Sequence, residues 1–188
     1  EAALFGLSSN TIGVRFAGKQ AVSDTVKFGY ELEYASQKDG NDNPADYSAD
    51  YWHAGASVAS SGFTVGAGYE VLGSDNGVSF KTPLATLHKF NGWADKFLAT
   101  PASGLKDMYA SVAYKVGAGR PLAGLSFKAV YHKFDSQVGS VSYGSEIDLV
   151  VSKKLHKYVS LTVKAALYNA DSFATDTNKI WVMLVSKF

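Results

Sequence analysis

The chain has 188 residues, with 18 Lys and Arg against 17 Asp and Glu, no cysteine, 18 glycines and 4 prolines. This balance argues against an electrostatic binder of nucleic acid, and the lack of cysteine removes disulfide scaffolds and thiolate metal centres. No apolar run reaches the roughly 18 residues that a membrane helix needs, whereas a membrane barrel needs none, because only alternate residues of its strands face lipid.

In chain order the dominant pattern has a period of two. Ile12, Val14 and Phe16 alternate with Gly13, Arg15 and Ala17. Val26, Phe28, Tyr30, Leu32 and Tyr34 alternate with Lys27, Gly29, Glu31 and Glu33. A weaker case spans Ser48 to Val58; a stronger one sets Phe63, Val65, Ala67, Tyr69 and Val71 against Thr64, Gly66, Gly68 and Glu70. Met108 to Val116, Leu125 to His132, Glu146 to Ser152 and Val159 to Leu167 repeat it, and Lys179 to Phe188 repeats it more weakly. Alternation of this kind means strands with one apolar face. The expected fold is all-β: an antiparallel transmembrane β-barrel segment of about nine or ten strands, each roughly ten residues long and able to cross a bilayer when tilted. A soluble sandwich or lipocalin-like barrel, with its apolar face inward, is the alternative. Against it, the polar faces carry Gly, Ser, Thr and charges of both signs, as a wet lumen does. Tyr34, Tyr69, Tyr114 and Tyr131 stand near strand ends on the apolar faces, as interfacial girdles do.

The links alternate in length. Lys19 to Asp24, Ser60 to Gly62 and Leu155 to Tyr158 are short; Ser36 to Asp46, Leu72 to Lys106, Asp135 to Tyr143 and Asn169 to Asn178 are long; Gly117 to Ala123 is intermediate. Short periplasmic turns and long extracellular loops are the outer-membrane rule. The last strand sets Ile180, Val182, Leu184 and Phe188 on one face, similar to the terminal assembly signal of bacterial barrels, with Ser186 departing from it. An odd strand number would leave Glu1 to Asn10 on the extracellular side, whereas bacterial barrels are even-stranded. With no initiator Met or signal peptide, the expectation is a processed chain or fragment. It would begin inside an external loop of a larger barrel, closed by an N-terminal half-barrel segment or a second chain.

The stretch from Phe80 to Tyr109, with Asp42-Asn43-Pro44, Tyr69-Glu70-Val71-Leu72-Gly73, Tyr143-Gly144-Ser145-Glu146-Ile147-Asp148 and Asp171-Ser172-Phe173-Ala174-Thr175-Asp176-Thr177, resembles proteobacterial outer-membrane porins of the alginate-export-like family. The resemblance implies a parent barrel of about 18 strands, of which this chain is the C-terminal half, lying in the bacterial outer membrane.

The chain reads as one barrel segment, 1–188, with one outstanding feature. A link as long as 73–106 in a compact protein is functional or disordered. This one holds Phe80, Leu84, Leu87, Phe90, Trp93, Phe97 and Leu98, which need burial. The expectation is an extracellular loop folded into the pore, with a short helix over Thr86 to Leu98 anchored by Leu87, Phe90 and Phe97. Its Lys81, His88, Lys89, Asp95 and Lys96 would form the constriction. The lumen set is Arg15, Lys27, Glu31, Glu33, Glu70, Lys115, Lys128, His132, Glu146, Asp148 and Lys164, with Arg15 and Lys27 near Glu31 and Glu33. Asp39, Asp42 and Asp46 are a Ca²⁺ candidate without EF-hand spacing, and a turn-rich loop is the plainer reading. No nucleophile elbow, HExxH or phosphate loop is present, and His53 with Ser57 completes no catalytic set. No enzyme and no cofactor are expected. The expected function is passive transport of small solutes through a porin, anionic solutes or a polysaccharide among them. The alternative is a structural or partner-docking barrel with a plugged lumen.

Overall fold

The computed structural model describes residues 2–83, 88 and 90–187. Leu84, Thr86, Leu87, Lys89 and Phe188, named above, lie outside the described residues. After a 3-10 turn at Ala2–Leu7, the chain forms β1 (Ser9–Ala21), β2 (Val26–Asp39), β3 (Ser48–Ser60) and β4 (Phe63–Leu72). A small hairpin follows, β5 (Ser74–Asp75) and β6 (Val78–Ser79). Then come β7 (Leu105–Lys115), β8 (Ser126–Asp135), β9 (Ser142–His156), β10 (Val159–Ala170) and β11 (Thr177–Ser186). Leaving out β5 and β6, nine strands form one antiparallel meander in sequence order. Its edges are β1 and β11, which do not pair with each other, so the sheet is unclosed among the described residues. Among the described residues no helix is long and apolar enough to cross a membrane.

Tight turns set the register. Between β3 and β4 the two-residue link is Ser61-Gly62, with φ of 51° and 88°. Two successive left-handed residues twist a hairpin in the sense of its strands, which is why glycine stands there. Links 22–25, 61–62, 116–125 and 157–158 lie at one end of the sheet, and 40–47, 73–104, 136–141 and 171–176 at the other. The expected alternation of lengths holds only in part. The 136–141 and 171–176 links are shorter than expected, because pairing runs on to Asp135 with Ser142 and to Tyr168 with Thr177. The 116–125 link, at the short-turn end, outlasts both. It is braced by Val116 N–H to Leu125 O at 2.9 Å and Gly124 N–H to Val116 O at 3.0 Å. It also outlasts 40–47, so the asymmetry between the two ends is carried by 73–104.

The two faces differ as the alternation requires. Ile12 (79 % exposed), Val65 (57 %) and Val182 (70 %) typify an apolar face left uncovered. Register aligns Phe63, Tyr114, Phe127, Val151, Val163 and Val182 as one row across six strands. An apolar surface this continuous is what the outer face of a transmembrane barrel wall presents. The buried cluster lies on the other side, where Tyr47, Leu72, Phe80, Phe97, Leu105, Phe134, Tyr143 and Tyr168 pack together. A soluble barrel would bury its apolar strand faces; this sheet exposes them. The architecture is that of an antiparallel transmembrane barrel wall.

Leu149 lies at the middle of β9, opposite Ala129 and Ala165 on the apolar face. Leu149→Arg should cost about 2–4 kcal/mol in lipid, the usual penalty for a midplane charge. Arginine at Ser111, on the polar face, should change stability by no more than about 0.5 kcal/mol. Urea unfolding of the closed protein in vesicles reads both, and equal losses would contradict the assignment of faces.

Candidate functional site

The described residues of the segment 73–104 lie over the polar face and are fastened to it on both limbs. Its entry is the β5–β6 hairpin, turned by Asn76-Gly77 with φ of 51° and 76°. Gly73 N–H donates to Asp50 O at 2.8 Å, and Ser79 Oγ donates to Thr100 O at 2.9 Å. Gln37, 2 % exposed, clamps the backbone beyond the hairpin. Its Nε2 donates to Lys81 O at 2.9 Å and its Oε1 accepts from Lys81 N–H at 2.8 Å. The amide thus stands in for a β-bridge partner, satisfying both backbone groups of Lys81.

The turn at 91–95 is held by carboxylates of the wall. Glu70 on β4 and Asp107 on β7 are cross-strand partners. Asn91 Nδ2 donates to both, at 2.6 Å to Glu70 Oε2 and 3.2 Å to Asp107 Oδ2. Two residues on, Trp93 N–H donates to Asp148 Oδ2 at 3.1 Å, and Ala94 N–H to Glu146 Oε1 at 2.7 Å. Glu146 and Asp148 are 1 % and 0 % exposed. Buried carboxylates need donors, and the segment supplies one to each, while Glu146 Oε2 and Asp148 Oδ1 meet none among the described residues. His132 completes the row, with Nδ1 2.9 Å from Asp107 Oδ1 and Nε2 3.8 Å from Asp148 Oδ2.

Toward the β10–β11 edge a second set forms. Lys164 Nζ lies 3.0 Å from His88 Nε2 and 4.1 Å from the centre of the Trp93 ring. An ammonium can only donate, so His88 Nε2 accepts, and Nδ1 carries the proton toward Asp95 Oδ1 at 2.6 Å. Lys179 Nζ donates to Asp95 Oδ2 at 2.8 Å. Partial burial works to raise the Asp95 pKa, but the hydrogen bonds from Lys179 and His88 outweigh it and hold the carboxyl below its ordinary value.

The expected short helix is absent over 90–98, where the chain runs through turns and bends. Asn91, Gly92 and Asp95 have φ of 53°, 83° and 61°, which a right-handed helix excludes. Nor is Phe90 the buried anchor expected; it is 46 % exposed, and Leu98 is 44 % exposed. Phe97 is the anchor. Its ring lies 4.5 Å from Phe134, 5.2 Å from Phe173 and 6.0 Å from Tyr143. Lys81 and Lys96 are engaged at the mouth. Lys81 Nζ donates to Gly6 O at 2.6 Å, and Lys96 Nζ lies 5.7 Å from the centre of the Tyr168 ring.

Alternation sets Arg15, Lys27, Glu31, Glu33, Glu70, Lys115, Lys128, His132, Glu146, Asp148 and Lys164 on the polar face. Arg15 lies 2.8 Å from Glu31 and 3.5 Å from Glu33. Lys27 does not join them: it faces Ala21 and Ala59, nearer the short turns, because Glu31 and Glu33 stand farther along the same strand. Asp39, Asp42 and Asp46 lie in or beside the 40–47 link. Among the described residues no group of three His, Cys, Asp or Glu is placed to hold an ion, and Asp39 Oδ1 instead accepts from Tyr47 N–H at 3.4 Å. Asp107, Gln37 and Trp181 escaped the sequence reading, although alternation with Ser111, Glu33 and Lys179 puts each on the polar face. Below the segment, Arg15, Tyr51, His53, Tyr109 and Lys128 line a recess of about 440 Å³, where Tyr109 Oη lies 2.8 Å from His53 Nε2.

The same wall recurs in solved outer-membrane porins. OpdK of Pseudomonas aeruginosa matches with a TM-score of 0.74 at 15 % identity, over 95 % of this chain and 49 % of its own. OprD of the same organism matches at 0.73 and 15 %, over 95 % and 51 %. OccAB3 of Acinetobacter baumannii matches at 0.73 and 15 %, over 96 % and 49 %. The fold is therefore that of an outer-membrane β-barrel porin. This chain spans about half the length of the structures it matches. No family model and no curated protein matches the sequence. The neighbours bear OprD and Occ names, and nothing among them supports the alginate-export-like resemblance.

Gly92 is the point where docking is least tolerant. Its φ is +83°, and an added Cβ would meet Glu146 Oε2 at 2.5 Å. Gly92→Ala should destabilise the docked segment by about 1–3 kcal/mol, through backbone strain and displaced hydrogen bonds. Faster amide exchange confined to 90–96 would report it; unchanged exchange would mean that the carboxylates do not hold the turn. The Asp95 contact has a defined pH window. A lowered pKa contributes stability that is present above the ordinary aspartate value, about 3.9, and lost as pH falls through the folded value. Asp95→Asn should remove that acid-dependent part, seen as a flatter stability profile below about pH 4.

Proposed function

We propose that this chain builds about half the wall of an outer-membrane channel for passive diffusion of small solutes, with 73–104 forming the constriction. A further segment or a second chain completes the barrel, since an unpaired strand edge in lipid costs several kcal/mol per unsatisfied group. The observation that carries the reading is the fastening of 73–104 across the polar face by Asn91, Trp93 and Ala94 on Glu70, Asp107, Asp148 and Glu146. A link that only capped the mouth would need no such anchors within the wall. His88 and Asp95 are the groups of this segment best placed to meet a solute, with Lys164 and Lys179 behind them.

Small anionic solutes are the favoured class. The polar face carries both signs, but Glu146, Asp148 and Asp107 are buried beneath the segment. Lys27, Lys115 and Lys128 are exposed, so the solvent-facing charge is more positive than the residue list. A basic, low-dielectric passage concentrates anions. OpdK has been solved with vanillate. The alginate-export-like resemblance rests on the sequence stretches alone, and no polysaccharide is proposed as substrate.

The aromatic cluster around Phe97 favours a second reading, in which the segment plugs a structural barrel. Planar-bilayer recording of the closed protein separates the two. The channel reading expects steady anion-preferring conductance at low salt, weakened at high salt as screening shortens the field. Deleting Thr86 to Leu98 should raise conductance, and reversing Lys115 and Lys128 to Glu should shift preference toward cations. A silent parent that conducts only after the deletion would establish the plug instead.

A further inference from the structure

Charge is unevenly divided between the two ends of the sheet. At the long-link end lysines are mixed with Asp39, Asp42, Asp46, Asp171 and Asp176. At the short-turn end, residues 19–28, 60–63, 115–126, 152–160 and 186–187 hold eight Lys or Arg and a single acid, Asp24. Some of these cations point into the lumen. Arg120, Lys153 and Lys157 instead border the lipid-facing side.

Each of the three is set beside an apolar or aromatic residue of that side. Arg120 Nη1 donates to Tyr114 Oη at 3.3 Å, and the Tyr114 ring packs 4.3 Å from Phe63 in the lower apolar row. Lys157 Nζ lies 4.7 Å from the centre of the Tyr158 ring, which is 49 % exposed. Lys153 pairs with Leu161, on the same face of β9 as Leu149 and Val151. None of the ion pairs among the described residues includes any of them. The order along the wall is apolar row, aromatic border, then cation. That order matches the bilayer's own sequence of hydrocarbon, interface and headgroup.

We propose that Arg120, Lys153 and Lys157 form a rim that binds anionic phospholipid headgroups in the leaflet on the short-turn side. The phosphate is the recognised group: the guanidinium supplies directed donors and the two ammonium groups supply point charge. Continuity of the rim with the lipid-facing row selects lipid over a soluble anion, because acyl chains attached to the same phosphate would lie along Phe63, Tyr114 and Phe127. The inference rests on the membrane-wall reading above.

The test uses the closed protein in vesicles of phosphatidylcholine, with and without phosphatidylglycerol. Native mass spectrometry gives the relative affinity for the two lipids. Wild type should prefer phosphatidylglycerol by at least about fivefold at low salt, falling as salt rises. The triple change Arg120→Gln, Lys153→Gln and Lys157→Gln should bring the ratio close to one. Lys38→Gln with Lys106→Gln, at the other end, should leave it unchanged. No preference in wild type, or an equal loss in the control pair, would overturn the proposal. Conductance in pure phosphatidylcholine serves as the independent check: if it persists while the lipid preference is absent, the rim has failed and the channel reading stands. If conductance is absent too, the channel reading itself has failed.

Discussion

Buried carboxylates on the polar face are the constraint around which the rest is arranged. Glu146, Asp148 and Asp107 have almost no exposure, and a carboxyl group out of water is costly unless donors meet it; Glu146 Oε2 and Asp148 Oδ1 meet none among the described residues. The wall supplies one such donor through His132, 2.9 Å from Asp107, and Tyr51 Oη donates to the half-buried Glu70 at 2.7 Å. The others come from a segment remote in sequence: Ala94 and Glu146 are 52 positions apart. Wall and segment are therefore conditional on each other. Without the segment the carboxylates would need water; without the carboxylates the 91–95 turn would lose its side-chain and main-chain acceptors.

Backbone geometry makes that exchange feasible. Left-handed conformations at Asn91, Gly92 and Asp95 turn successive N–H groups toward the wall, whereas a helix would direct them along its own axis. Glycine at 92 allows Glu146 to come within a distance that any side chain would block. Above this point Phe97 gathers Phe134, Tyr143 and Phe173, so polar anchoring and aromatic packing hold the same short stretch. The clamp of Gln37 on Lys81 fixes the other limb. Three fastenings of different chemistry leave the segment little freedom to swing out as one body.

Docking also changes what a passing solute would feel. A count of polar-face residues finds both signs, but Coulomb interactions depend on which charges remain unpaired and solvated. The acids are spent on the segment, on Arg15 and on His132, while Lys27, Lys115 and Lys128 stay in the open. The same face can therefore be neutral by composition and basic by exposure.

The sequence by itself determined the wall. Alternation such as Val26 to Tyr34 is a local property, fixed by the two-residue repeat of a strand, and it specified the number of strands in the main sheet and their faces; it did not specify a girdle, since Tyr131, expected near a strand end, pairs with Ala110 and Ile147 in the middle of β8. The tight turn at Ser61-Gly62, inside the minimal link from Ser60 to Gly62, is legible for the same reason, since a turn is decided within a few residues. It also marked 73–106 as too long and too apolar for a connector. Only the tertiary structure decided how that stretch lies. Over its described part, 90–98, the helix expected for Thr86 to Leu98 gives way to turns because Asn91 and the Trp93 and Ala94 amides gain more from distant carboxylates than from their own neighbours, and such partners leave no periodic trace. Asp107 carries the signal of its face but not of its role, which depends on Asn91 and His132 arriving from two other elements. Lys27 shows the converse, being on the expected face yet too far along β2 to join Arg15. Strand periodicity tells which way a side chain points; which partner it meets is set by register and long-range folding.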